Sequence, residues 1–264
     1  MRRDVSSSLE LQVSGESEMA FAVAVARGAD VASESLAFAL DGVPVEATEV
    51  VDRHDTRLHV LTSGAGVLTM EYRATVTGRR EPAPLDDVDL WIYRRPSRYC
   101  ESDTLFPTAR GEFRGLDGLP LLAAVRAYVA DALRYAPGSS LPTDGAVRTL
   151  LARRGVCRDY AHLVIALLRA RDVPARLAAV YAPGLSPMDF HAVAEAWVDG
   201  AWHVVDATGL APRQSLLRIS TGRDASDTAF LSNTRSLVTI SRMEVLATVD
   251  ELPADDGTAP LRLG

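Results

Sequence analysis

The chain opens on apolar and polar residues in alternation and, near its middle, turns to apolar residues spaced three and four apart. Leu9, Leu11 and Val13 alternate with polar neighbours, and Phe21, Val23 and Val25 alternate with alanines. A period of two marks a half-buried strand. Val43 and Val45, Val50 and Val51, Leu58 to Leu61, and Val67 to Val76 continue the pattern, separated by the turn pairs Asp41-Gly42 and Ser63-Gly64. Short strands at this spacing predict an antiparallel, sandwich-like module over residues 1–95. Arg79 to Pro96, rich in proline and aspartate, reads as a linker ending near residue 95.

Helical spacing takes over at Leu119 to Leu133, ahead of a Pro137-Gly138 stop. Thr143 or Asp144 is placed to cap a second helix through Ala152, and Gly155 suits a left-handed cap behind it. A third helix runs from about Val156 to Arg171 and is stopped by Asp172-Val173-Pro174. Its Ala161, Val164, Ile165, Leu167 and Leu168 cover much of the circumference, the profile of a buried central helix. Strands return at Ala175–Tyr181, Phe190–Val198, Ala201–Ala207, Ser215–Ile219 and Leu237–Val249. The fold class is therefore α+β: a β-rich N-terminal module (1–95), a mixed core (96–252) and a loosely ordered tail (253–264).

Composition narrows the function. A chain of 264 residues with 47% hydrophobic and 24% charged residues is that of a globular protein with room for a sizeable core. Its formal charge of −7 argues against nucleic-acid partners and against a polybasic membrane surface. The first ten residues lack the apolar stretch of a signal peptide, so the expected compartment is the cytoplasm. Two cysteines, Cys100 and Cys157, are too few for a disulfide framework or a structural zinc site. No calcium-loop spacing occurs, so neither cofactor nor metal is expected. Every basic residue is arginine, and a chain without lysine offers no lysine amine for cross-linking to itself.

The candidate chemistry lies in three residues. Cys157 opens the third helix, where unpaired N–H groups and a partial positive charge favour a thiolate and can stabilise an oxyanion. Asp199-Gly200 is a two-residue hairpin signal between the strands that carry His191 and Asp206. In that register Val198 faces Ala201, Trp197 faces Trp202, Val193 faces Asp206 and His191 faces Thr208. His191 and Asp206 then share a face as diagonal neighbours, about 7–8 Å apart at the backbone, within side-chain reach. A slip of one residue would put them on opposite faces. His203 has the wrong parity for Asp206, and His162 lies about 140° around the helix from Cys157. His54 and His59 fall in the β module.

These residues carry a resemblance. The segment from about Ser97 to Ser232 resembles a bacterial transglutaminase-like domain of the papain-like cysteine enzyme superfamily. The phrases that carry it are Ser97-Arg98-Tyr99-Cys100-Glu101-Ser102-Asp103, Gly155 to Leu163, Asp189-Phe190-His191-Ala192, Asp206-Ala207-Thr208-Gly209 and Gly222 to Asp227. The β-rich first third is similar to the region that accompanies such domains. The resemblance implies a nucleophile helix packed on an antiparallel sheet, with Cys157, His191 and Asp206 as the catalytic triad. Two positions depart from the family pattern: Val193 stands where many relatives have tryptophan, and Ala207 where many have proline. The smaller Val193 is expected to alter the substrate groove.

The implied reaction is attack of Cys157 on an amide carbonyl, with His191 moving the proton and Asp206 fixing its tautomer. The Cys157 N–H is the first oxyanion donor, and a group ahead of the helix is the place for a second. The resulting thioester goes to water or to an amine. The partner implied is a peptide or amide substrate, in a protein or a small peptide-like molecule; the sequence gives no oligomeric state. Two other readings stand beside this one: a peptidase or amidase that only hydrolyses, and an inactive binding or scaffold protein on the same fold. Asp159, Asp224, Asp227 and Cys100 are read as structural.

Overall fold

The computed structural model describes residues 1–80 and 85–264. The early alternation becomes β1 (Arg2–Val13), β2 (Ser17–Phe21), β3 (Asp30–Leu40), β4 (Val43–Val45), β5 (Thr48–Val51), β6 (Arg57–Ser63) and β7 (Gly66–Thr77). Their inward side chains, among them Leu9, Leu11, Met19, Phe21, Leu61, Leu68 and Met70, close a core between two antiparallel sheets. Then come α1 (Asp87–Ile92), α2 (Phe106–Glu112), α3 (Gly118–Ala132), β8 (Arg134–Tyr135), α4 (Ala146–Ala152), β9 (Arg154–Gly155) and α5 (Cys157–Arg169). β10 (Ala175–Tyr181), β11 (His191–Val198), β12 (Ala201–Val205) and β13 (Leu217–Gly222) form a third antiparallel sheet, ordered β12-β11-β10-β13. The chain ends with α6 (Ala225–Thr228), β14 (Leu231–Asn233) and β15 (Val238–Val249).

The strand pairing does not follow the expected division at residues 95 and 252. β15 runs antiparallel along β1, and β14 along β2, so the last strands complete the two N-terminal sheets. The physical reason is edge closure: β1 already pairs with β7, and its other edge would otherwise present a row of unpaired backbone groups. The tail also differs from expectation. Asp255 takes two side-chain N–H donors from Arg213, each at 2.8 Å, and Val204 N–H donates to Leu261 C=O at 2.7 Å. Leu263 is buried beside Val204, so residues past 252 are docked, although without regular structure. In the expected linker, Asp86 caps α1 by accepting from Val88 N–H at 3.0 Å; Pro82 and Pro84 lie outside the described residues.

Local differences have equally plain causes. The ladder of β2 stops at Phe21, yet Val23 and Val25 stay buried as a non-ladder continuation. α4 is capped by neither Thr143 nor Asp144: the Glu101 carboxylate accepts from Ala146 N–H at 2.8 Å. The left-handed residue after α4 is Arg153 (φ 55°), not Gly155. Gly155 is required for a different reason, since a Cβ there would lie 2.7 Å from Asp159 Cβ. β13 starts two residues later than expected, after a short 3-10 turn at Arg213–Ser215.

α5 is the axis of the second half. Tyr160 to Leu168 are buried without a break, packed among Leu121, Val125 and Val129 of α3 and Ala194 and Ala196 of β11. The two halves also share an interior. The Tyr181 hydroxyl donates to Val23 C=O at 2.8 Å and lies 2.9 Å from Ser7 Oγ, and its ring stacks on Tyr72.

One polar knot braces the sheet beside the catalytic candidates. Glu195 in β11 is fully enclosed and receives Arg176 Nε–H at 2.9 Å and two Arg218 N–H groups at 2.8 and 2.7 Å. Burial alone would raise its carboxyl, but the two guanidinium groups outweigh this and hold it at about 2. Glu195→Ala strands two largely buried guanidinium groups, and a loss of about 3–5 kcal/mol is expected in urea denaturation. Because the folded carboxyl titrates below its unfolded value of 4.5, this contribution is complete above that pH and disappears as pH falls through about 2. A variant as stable as wild type at pH 7 would show that the knot does not brace the sheet.

Candidate active site

The hairpin register expected from the two tryptophans is the one observed. Trp197 pairs with Trp202 and Val198 with Ala201, across a turn in which Asp199 (φ 49°) and Gly200 (φ 77°) are both left-handed. Two left-handed residues suit the right-handed twist of the flanking strands. Alternation then sorts the side chains. Ala194, Ala196 and Val198 join the core around α5, while Val193 joins Ala178, Val180 and Val204 on the other face. His191 and Asp206 share the parity of Val193 and Val204, and their side chains meet, with His191 Nε2 3.0 Å from Asp206 Oδ2.

Asp206 is held at both oxygens. Thr208 donates its backbone N–H (2.8 Å) and its hydroxyl (2.7 Å) to Oδ1, which leaves Oδ2 for the imidazole. Both residues are nearly inaccessible, His191 at 2% and Asp206 at 4%. Burial on its own would push His191 down; the Asp206 charge and hydrogen bond, with a smaller push from Cys157, carry it up to about 10. Burial would likewise raise Asp206, and the His191 charge and Thr208 donors instead keep it below the usual carboxylate range. The imidazole is thus held charged at neutral pH by a buried acidic partner.

Cys157 closes the arrangement. It begins α5, it is partly accessible, and its Sγ lies 4.0 Å from the carbonyl oxygen of Phe190, the residue preceding β11. His191 Nδ1 has no hydrogen-bond partner within normal hydrogen-bonding geometry among the described residues, and Cys157 is near enough to add to the upward push on the ring. The helix start is fixed by Asp159, whose Oδ2 accepts from Val156 N–H at 2.8 Å and whose Oδ1 accepts from Ser140 at 2.9 Å. The imidazole thus meets the carboxylate at 3.0 Å, as the hairpin parity implied, and Cys157 is among the groups acting on it.

The remaining candidates fall elsewhere. Cys100 is completely buried, and burial pushes its thiol far above the ordinary range. His162 stacks on Tyr99 with Nε2 accepting from Ala225 N–H at 3.1 Å, and burial brings it down to about 3, a neutral packing residue. His203 Nε2 lies 3.1 Å from Val198 C=O, away from Asp206. His54 meets the Tyr93 hydroxyl, and His59 meets Glu49. Asp224 caps α6 through Ser226 N–H and accepts from Tyr99 N–H, and Asp227 pairs with Arg223. Val193 is 1% exposed and packs with Ala178, Val180 and Val204, so its own side chain lines no open groove. Two contributors had no role assigned from the sequence: Thr208, signalled only by its place two residues after an aspartate, and Phe190, which contributes a backbone carbonyl.

Comparison with known proteins adds independent findings. Residues 116–207 match the family described as the transglutaminase-like superfamily. The crystal structure of a provisionally assigned cysteine protease from Cytophaga hutchinsonii is 31% identical and is matched over 100% of this chain and 94% of that one, with a TM-score of 0.87. An uncharacterized protein of Mycobacterium leprae is 27% identical over 143 residues, 50% of each; the chain thus spans about half the length of that curated relative. The periplasmic domain of TgpA from Pseudomonas aeruginosa is 18% identical over 76% of this chain and 87% of that one, with a TM-score of 0.43.

The electrostatics of the dyad can be tested on the folded protein. A histidine raised above its unfolded value of 6.5 stabilises fully below that pH, and this support is lost as pH rises through about 10. In Asp206→Asn, the Thr208 donors hold the amide oxygen and turn the NH2 toward His191 Nε2. The His191 titration, followed by imidazole NMR, should then drop from about 10 to below 6.5, since burial is no longer opposed. An unchanged midpoint would show that Asp206 does not govern the imidazole.

Proposed function

The chain belongs to the transglutaminase-like superfamily, and from that membership we propose that it moves or cleaves an amide acyl group through a thioester on Cys157. The observation that supports this best is the buried His191–Asp206 hydrogen bond at 3.0 Å, with Nδ1 unpartnered among the described residues and Cys157 acting on the ring. In this reading the Cys157 thiolate adds to the carbonyl carbon and the carbonyl π pair moves to oxygen. The oxyanion is met by the Cys157 N–H at the start of α5. His191 delivers its Nδ1 proton to the departing amine as the C–N bond breaks. Asp206 stabilises the imidazolium and keeps the other proton on Nε2, so that Nδ1 is the nitrogen facing sulfur. The thioester is then attacked by water or by an amine, with His191 as the base.

Hydrolysis gains support from the protease assignment carried by the Cytophaga protein, which is matched over nearly its whole length. Transfer gains support from the family itself. Both pass through the same acyl-enzyme, and the substrate proposed is a peptide or peptide-like amide.

An N-protected glutaminyl-glycine dipeptide, incubated with and without glycine methyl ester, separates the outcomes. Amine incorporation marks transfer, and free acid with ammonia marks hydrolysis. The absence of lysine leaves little background from the protein's own amines. Cys157→Ala should abolish either product, and Asp206→Asn should lower kcat by roughly 10³–10⁴-fold through the wrong imidazole tautomer. Turnover that survives Cys157→Ala would contradict the proposal, as would product from neither route across a panel of amide and peptide donors.

A further inference from the structure

The Cys157 N–H needs a companion, because one donor leaves an oxyanion half supported. The fold places a candidate next to it. β8 and β9 pair in parallel, with Tyr135 opposite Gly155 and Ala136 N–H donating to Gly155 C=O at 3.0 Å. This short pairing fixes the Tyr135 backbone beside the residue two positions ahead of the nucleophile. The Tyr135 ring rests against Tyr160, one turn into α5, at 6.1 Å between centroids. From there its hydroxyl faces the start of α5, where the Cys157 amide donates to no backbone carbonyl among the described residues.

We propose that the Tyr135 hydroxyl is the second oxyanion donor, acting together with the Cys157 N–H on the carbonyl oxygen of the acyl donor. The assignment rests on the thioester reading above. Two groups that face the same opening can both reach one oxygen placed between them. In this proposal the phenol oxygen is turned toward the Cys157 N–H before the acyl donor binds. When the S–C bond forms and the π pair moves to oxygen, that oxygen takes the N–H, and the phenol turns its O–H onto it. Collapse returns the pair to the C=O bond and expels the leaving group. Burial, with the charges of Cys157 and Asp189 nearby, pushes the phenol up to about 12, so the proton needed for donation is present throughout the neutral range. Tyr135 is 37% exposed and sits at the surface end of α5, so removing its hydroxyl leaves the core untouched.

The test uses p-nitrophenyl acetate and the full-length protein. Its leaving group departs without a proton, so the acetylation burst reads thiol attack and oxyanion support. Alkylation by iodoacetamide forms no oxyanion and reads the thiol alone. Tyr135→Phe should slow the burst about 10²–10³-fold while the alkylation rate stays within about threefold of wild type. A burst near the wild-type rate overturns the assignment. So does a parallel loss of alkylation, because Tyr135 would then act on the thiol or on the position of the helix. A wild-type protein without a burst, or a burst that survives Cys157→Ala, removes the thioester reading itself, and the Tyr135 assignment falls with it.

Discussion

A carboxylate and an imidazole buried together on one hairpin set the terms for the rest of this molecule. Neither charge is tolerable alone at that depth, because desolvation would neutralise it. Paired at 3.0 Å, with Thr208 saturating the second oxygen, they are stable and immobile. The pairing exists only in one register, and a shift by a single residue would send His191 to the opposite face. That register is held by the left-handed Asp199-Gly200 turn, by the Trp197–Trp202 pair, and by Glu195 clamped between two arginines further along β11.

The nucleophile is delivered by a different route. α5 is buried from Tyr160 to Leu168, and such a helix cannot slide without breaking its packing on α3 and β11. Its first two residues, Cys157 and Arg158, emerge, so the thiol is partly accessible on a rigid support. Gly155 lets the chain enter the helix directly over the Asp159 side chain, and Asp159 ties the entry down by taking the Val156 N–H. The contrast with Cys100 is instructive: the same side chain, sealed in the core with its thiol driven upward, has neither access nor charge.

Much of this was legible in the sequence because short-range rules govern it. The period-two strands, the apolar α5 and the hairpin all follow from local spacing, and the hairpin parity was enough to unite His191 with Asp206 and set His203 aside. What escaped depends on contacts far apart along the chain. Nothing in the alternation of β15 says that it lies along β1, so a cut at 95 separated strands that belong to the N-terminal sheets. The cap of α4 comes from Glu101, far upstream, where a local rule points to Thr143 or Asp144. The anchoring of the tail by Arg213 and Asp255 has no periodic signature at all. Tyr135 stayed hidden for a similar reason, since a two-residue parallel pairing is too short to announce itself.

The account stands on Cys157 being a nucleophile primed by its neighbours, and the most direct measurement is its reactivity in the folded wild-type protein. Iodoacetamide at mildly acidic pH, followed by peptide mass mapping, compares the two cysteines in one sample. Cys157 should be labelled far faster than Cys100, because it is partly accessible at the start of α5 beside His191, whereas Cys100 is sealed in the core with its thiol driven upward by burial. Slow and equal labelling of the two would mean that the imidazole and its carboxylate do nothing for the sulfur, and the proposed chemistry would be wrong.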